Sequence, residues 1–446
     1  MSIIRYTASL DTTITNTFKN ENGTAESETR ATGSNLGLAD ILEVFSVYGR
    51  RSGSLNGETT ELSRILIQFP ISKISSDRTA GIIPASGEVD FKLKLYNARH
   101  PFTLPKNYDL LVSAVSGSWQ EGHGLDLSTY EDETKDGEGS NWINANNNLV
   151  SASATLTALS VGSEKNTRKL LVSDVAGNSV NFNINNGLST STATEIALGN
   201  ANNNTSQFAT NIVSAINLAE TAGTLNVTAS ASDATVTLTQ TAQGRAGNSA
   251  ADIAGTAVTD SAVTVVSQFA GGDGKWVSVG GDYYSSPTYT KSFTSGVENV
   301  EIDVTTLVEQ WIAGTKTNHG FGVRLSDSHE GYFSSSVGAN SGSIIHNTSG
   351  AKKSFFTKTF FARSTEFFYK RPVLEAQFED ITKDDRNKFY LSSSLLPGPD
   401  NLNSLYFYNY IHGRLADYPG YDSTDITLKL FYSSGSVPEG SARSFF

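Results

Sequence analysis

Apolar and polar positions alternate along several short runs of this chain. "SRILIQFPI", "VDFKLKLYNA", "DLLVSAVSG", "ENVEIDV", "HGFGVRLS" and "RPVLEAQFED" each carry strand-length patterning bounded by turn residues. Period-2 alternation fits a strand with one face in a core and one in water. Many such runs without helices between them predict a sandwich or jelly roll. "DVTTLVEQWIAGTKTNHGFGVRL" breaks the pattern: Val304, Leu307, Val308, Trp311 and Ile312 share one face of a two-to-three-turn helix. Asp303 or Thr306 is placed to cap its start and Gly314 to end it.

Composition divides the chain. Trp119, Trp142, Trp276 and Trp311 all avoid the stretch from 146 to 272, whose aromatic residues are Phe182, Phe208 and Phe269. That stretch opens with "NANNNLVSASATLTALSVGS" and closes with "FAGGDGKW", small-residue borders of the kind found at domain junctions. It is expected to be an inserted small α+β domain. "LNVTASASDATVTLTQTAQGRAGN" reads as strand, turn, strand, and Phe208, Ile212, Ile216 and Ala219 form the stripe of one covering helix. The flanks 1–145 and 273–380 are expected to join as one discontinuous jelly-roll β-sandwich. Residues 381–446 offer two or three strands, an Ig-like or incomplete β domain whose open edges another chain is expected to complete. The fold class expected is therefore mainly β.

The formal charge of −12, with no basic cluster to reverse it locally, argues against a nucleic-acid partner. No cysteine is present, so disulfides and thiolate metal sites play no part. The first residues lack an apolar signal core, and no run approaches the length of a membrane span. The expectation is a product made in the cytoplasm, without Sec export or membrane insertion, which lysis must release if it acts outside the cell.

Residues 118–143, "SWQEGHGLDLSTYEDETKDGEGSNWI", set Glu121, Asp126, Glu131, Asp132, Glu133, Asp136 and Glu138 between two tryptophans. Asp132, Thr134, Asp136 and Gly137 stand at positions 1, 3, 5 and 6 of a calcium loop, but position 12 is Ile143, where such loops place a bidentate Glu. A solvated acidic loop is the first reading. Calcium on Asp132, Thr134 and Asp136, helped by Asp126 or Glu131, is the second. A glycosidase pair comes last, because mutually repelling acids in a hydrophilic loop are hard to desolvate. His100, His123, His319, His329, His346 and His412 are scattered without zinc-ligand spacing, and no phosphate loop or serine-hydrolase elbow is present. The four tryptophans suit a sugar-stacking platform if exposed, and a core if not.

The set formed by Trp119, the acidic glycine-rich loop, Trp142, Asp303, Val304, Thr305, Val308, Trp311, Gly314, Asn318, Gly320, Phe321, Arg371, Pro372, Leu374 and Glu375 resembles the jelly-roll modules of the disaggregatase-related, carbohydrate-binding-module-like family. With "GHGLD", "NWI" and "RPVLEAQFED" it looks most like virion structural proteins of large tailed phages, including cyanophages. The insert separately resembles a small domain of phage tail and neck proteins, through "NVTASASDATVTLTQTAQGRAGN" and "FAGGDG". These resemblances span about 240 residues in the flanks, plus the insert. They imply a non-enzymatic virion part in neck, tail, fibre or capsid surface, with other virion proteins and copies of itself as partners and no cofactor. The alternative they imply is a carbohydrate-binding or adhesin module on a host-surface glycan.

Overall fold

The computed structural model describes residues 2–20, 28–50, 58–99, 105–125, 135–136, 138–159, 168–199, 201, 203–250, 252–255, 262–334 and 345–379. Within 380–446 it describes 395, 397, 408–411, 414–416, 430–432 and 439–443. The chain divides into two compact units, Met1–Glu379 and Asp380–Phe446.

The first flank supplies β1 (Ser2–Thr7), β2 (Leu10–Thr15), β3 (Ile41–Arg50), β4 (Glu58–Gln68), helix α1 (Ile71–Thr79), β5 (Val89–Leu95) and β6 (Tyr108–Val115). Residues 146–272 supply β7 (Ser151–Ala158), β8 (Lys169–Ser173), β9 (Ser179–Asn185), β10 (Glu195–Ala197), α2 (Thr205–Thr221), β11 (Val227–Ser232), β12 (Thr235–Gln243), α3 (Ala246–Ala250), β13 (Ile253–Gly255) and β14 (Val263–Ala270). The second flank adds β15 (Tyr283–Phe293), β16 (Val300–Asp303), α4 (Thr305–Ile312), β17 (Phe321–Leu325), β18 (Phe355–Phe361) and β19 (Val373–Phe378).

The fold is mainly β, a sandwich built from both flanks. One layer is a four-stranded antiparallel sheet in the order β1-β19-β5-β16. In β5, Val89, Phe91, Leu93 and Leu95 face inward while Asp90, Lys92 and Lys94 face out, as period-2 alternation requires. The other layer is a curled seven-stranded sheet in the order β15-β6-β17-β4-β3-β18. β4 forks it: residues up to Leu62 pair with β3, and Ser63 to Gln68 pair with β2. Side chains fill the fork, since Asn16 Oδ1 accepts from Leu62 N at 2.6 Å and Thr15 Oγ1 donates to Leu62 O at 2.8 Å. Thr13 and Thr15 are buried in β2 because each serves a backbone group, Thr13 Oγ1 accepting from Glu43 N at 3.0 Å and Thr15 reaching Leu62.

Between the layers lies a core that includes Ile65, Ile67, Phe91, Leu93, Val112, Val308, Trp311, Phe321 and Leu374. The opposite face of β4 is buried as well: Leu62 and Leu66 pack with Ile14, Trp119, Trp142 and Trp276.

Residues 146–272 belong to the first unit but carry a core of their own, with Leu156, Phe182, Phe208, Ile212 and Leu238 among its members. Two four-stranded sheets, β11-β12-β7-β14 and β10-β9-β8-β13, enclose it, with only β9 and β10 parallel. α2 buries Phe208, Ile212, Ile216 and Ala219, and Asn204 caps it by accepting from Gln207 N at 3.0 Å. The chain enters and leaves this region side by side, through bridges Asn144 to Lys275 and Val150 to Asp273.

Two local expectations are corrected. The apolar run ending at Ile71 is not all strand, because Pro70 has no N–H for the ladder and starts α1, which buries Ile71 and Ile74. At α4 the cap position is Val304 rather than Asp303 or Thr306, although Asp303 Oδ1 still accepts from Thr305 N at 3.0 Å. Gly314, at φ +71°, ends that helix one residue after its cap at Ala313. In the second unit, two short antiparallel ladders are described, Tyr410–Ile411 with Arg414–Leu415 and Leu430–Tyr432 with Glu439–Arg443. No described helix is long and apolar enough to cross a membrane.

Candidate functional site

Of the proposed calcium ligands, Asp132 and Thr134 lie outside the described residues, as do Asp126 and Glu131. Asp136 is described through its backbone, where Lys135–Asp136 pairs antiparallel with Ser34–Asn35. Among the described residues no three His, Asp or Glu side chains are grouped to hold a metal ion.

The base of the acidic loop is built around one amide. Asn35 Nδ2 donates to Glu121 O at 2.7 Å and Ser140 O at 2.8 Å, while Oδ1 accepts from Gly37 N and Gly124 N at 3.0 Å each. A single side chain thus ties the entry of the loop to its exit. Gly122, at φ +82°, packs directly on this amide, and any Cβ there would collide with it. His123 and Glu138 approach each other at 3.6 Å in exposed positions.

Glu121 leaves the loop's acidic run to join a clamp. Arg363 Nε and Nη2 grip its carboxylate at 3.1 and 2.7 Å, and Asp11 N donates to Glu121 Oε1 at 2.9 Å. Asp11 is 2% exposed. Its Oδ2 accepts from Arg363 N at 2.6 Å, yet the Arg363 guanidinium is committed to Glu121. Burial pushes the Asp11 carboxyl up to about 7, and Glu121 adds to this; the Arg363 amide and the Arg363 and Arg371 charges pull the other way. The clamp joins β2, the loop base and the connection from β18 to β19.

The tryptophans fill interior space. Trp119, Trp142 and Trp276 share one layer, where Trp119 Nε1 donates to His319 O at 2.7 Å and Trp276 Nε1 to Asn141 O at 2.9 Å. Arg64 lies in the same layer, its guanidinium on Glu330 at 3.1 Å and its Nη1 on Gly280 O at 3.1 Å. Arg245, from the inserted region, reaches Asp273 at 2.8 Å and sits 5.5 Å from the Trp276 ring. Trp311 packs edge-on to Phe321 with ring centroids 4.8 Å apart. All four indoles are buried, so none offers a stacking face to a sugar.

On the outer face of the four-stranded sheet, charges alternate across the strands. Arg5 of β1 meets Glu375 of β19 at 2.8 Å, Glu375 meets Lys94 of β5 at 2.8 Å, and Lys94 meets Glu301 of β16 at 3.5 Å. Burial acts to raise the Glu375 carboxyl, but hydrogen bonds from Lys94, Gln377 and Arg5 outweigh it and hold the group below its ordinary range. This face is suited to water rather than to a third layer. A shallow depression beside α4 is lined in part by Arg78 and Glu309, which pair with each other at 2.6 Å.

A further feature escaped the sequence reading. Phe367, Phe368 and Tyr369 are exposed, at 39, 74 and 59%, and pack edge-on against one another and against Phe361. Lys370 Nζ lies 4.6 Å from the Phe361 ring centroid and 5.3 Å from that of Phe367. The signal was available in "EFFYKR", three successive aromatics where neither a period-2 nor a helical pattern can hide all of them. Compared with known proteins, the chain matches no family model and no curated protein.

Proposed function

We propose that this chain is a non-enzymatic structural component of a tailed-phage virion, in neck, tail, fibre or capsid surface, acting through protein–protein contacts with other virion proteins and with copies of itself. One observation carries the reading: among the described residues, the indoles suited to sugar stacking and three prominent carboxylates are committed inside the fold, while large aromatic side chains stand outside it. The four tryptophans are core, and Glu121, Glu330 and Glu375 are each held by Arg or Lys. An active site instead keeps charged groups poised toward a cleft. The sequence resemblances to virion jelly-roll and tail or neck domains lead in the same direction.

The test is the particle itself. Purified virions from the phage that encodes this chain are expected to contain it at fixed stoichiometry by quantitative mass spectrometry, and to bind antibody raised against it. Particles that lack the chain overturn the proposal. The runner-up, a glycan-binding module, now rests on Phe368 and Tyr369 rather than on the tryptophans, and a glycan array separates it from the first reading.

A further inference from the structure

One lysine lies wholly inside the sandwich. Lys358 of β18 is 0% exposed, and its ammonium meets no carboxylate in an ion pair among the described residues. Its Nζ instead donates to three carbonyl oxygens, Asn97 Oδ1 at 2.5 Å, Glu298 O at 2.9 Å and Gly296 O at 3.0 Å. The Phe293 and Phe360 rings flank it, with centroids 5.0 and 5.2 Å from Nζ. A charge taken that deep without a counter-ion is costly to keep. Burial pushes the ammonium down to about 8, while the Glu298 charge pulls the other way. A desolvated lysine that sheds its proton near neutrality is a nucleophile.

The fold aims that amine at an amide. Asn97 follows β5 in one layer and bridges Phe360 of β18 in the other. Phe361 N donates to Tyr96 O and Ala98 N to Thr359 O, each at 3.0 Å, and Asn97 N is fixed on Asn299 Oδ1 at 2.8 Å. Lys358 is thereby the diagonal cross-strand neighbour of Asn97, a spacing that a long side chain spans. The Asn97 amide carbon lies one C=O bond, about 1.2 Å, beyond the oxygen that Nζ already touches. Amine and amide are thus held together in an enclosed site, where fixed approach replaces a rare collision. Glu298 completes the group. Its Oε1 accepts from Thr294 N and Ser295 N at 2.8 and 2.7 Å, while its Oε2 is buried without a hydrogen-bond partner among the described residues.

We propose that Lys358 and Asn97 form an intramolecular isopeptide bond that staples the two layers of the sandwich covalently. Lys358 first gives one proton to water. The Nζ lone pair then forms a bond to Asn97 Cγ, and a second Nζ proton passes by way of the Glu298 carboxylate to Nδ2. The Cγ–Nδ2 bond breaks and ammonia leaves. Lysine ammonium and carboxamide thus become a secondary amide and an ammonium ion, with no oxidant, metal or co-substrate consumed, and the buried charge departs with the ammonium. The link joins residues 261 apart, one on each side of the insert. It goes beyond the assembly role and does not depend on it.

The test is the mass of the full-length chain, purified folded and then denatured. The wild type is expected to be lighter than its sequence by one ammonia. Trypsin is expected to release a branched peptide joining "LYNAR", residues 95–99, to "SFFTKTFFAR", residues 354–363, in which Lys358 resists cleavage. Asn97→Ala and Lys358→Met are each expected to show the full sequence mass and to lack that peptide. A wild type at its full sequence mass overturns the proposal and leaves Lys358 a structural ammonium. A mass deficit without the branched peptide overturns it as well, since ring closure of Asn97 onto its own backbone also sheds ammonia. So does a deficit that persists in Asn97→Ala.

Discussion

Asp11 is a residue whose surroundings set its behaviour against its type. Its carboxyl is buried beside the Glu121 carboxylate, and the nearest guanidinium already serves Glu121. A carboxyl raised to about 7 adds stability that is fully present below the ordinary value of 3.8 and is lost as pH rises through about 7. Stability is therefore expected to fall between pH 5 and pH 8, by up to about 3 kcal/mol on 1.36 kcal/mol per pK unit. Asp11→Asn mimics the protonated form and is expected to flatten that slope and to exceed the wild type at pH 8. Urea melts at the two pH values check this; a variant that keeps the wild-type slope clears Asp11 of the effect. Asn35 makes a second case. Asn35→Ala removes four hydrogen bonds at once, so a loss of about 2–4 kcal/mol and faster exchange of the Gly37 and Gly124 amides are expected. Unchanged amide protection in the variant counts against Asn35 as the tie of the loop.

Among elements, β11 shows how an exposed edge is kept from pairing with the wrong chain. It is the outer strand of its sheet, and α2 lends it a substitute partner: Asn217 Oδ1 accepts from Ala229 N at 2.7 Å while Nδ2 donates to Ala229 O at 3.1 Å. A side-chain amide thus occupies the donor and the acceptor that an incoming strand needs. Asn217→Ala is expected to cost about 1–3 kcal/mol and to promote aggregation, read by chemical denaturation and light scattering. A variant as stable and as soluble as the wild type refutes the protective role. α4 illustrates the complementary point. Its stripe of Leu307, Val308 and Trp311 is legible in the sequence and is buried as that stripe predicts, whereas the identity of its cap was decided by the turn from β16.

For the whole molecule, the inserted region has its own core and leaves through a bridge beside its entry, Val150 against Asp273. Removal of 148–270 with a short Gly/Ser joint is therefore expected to leave a folded sandwich. Loss of its near-UV circular dichroism counts against the separable core. Arg245, which reaches from the insert to Asp273 and to Ser118, is the contact most missed in that deletion. The second unit has two-stranded ladders among its described residues, and two strands alone are marginal in water. Amides 408–443 are expected to exchange slowly only in the assembled protein. Equal protection in isolated and assembled chains rules out completion by a partner.

Strand alternation in β5, the stripes of α2 and α4, and the tryptophan-free stretch were all legible in the sequence, because each depends on residues a few positions apart or on composition. The backbone's periods of 2 and 3.6 impose those patterns before any tertiary contact forms. The joining of β2, the acidic loop's base and the connection from β18 to β19 had no such local trace, nor did the pairing of Arg64 with Glu330, 266 residues away. Asp11 and Arg363 are 352 residues apart, and neither is marked by its neighbours in sequence. Sheet order and the burial it enforces brought those groups together. The low polarity of that interior then pushed the carboxyl of an ordinary aspartate up toward neutrality, while the exposure of Phe367, Phe368 and Tyr369 was decided by the packing of the layers and not by any local pattern.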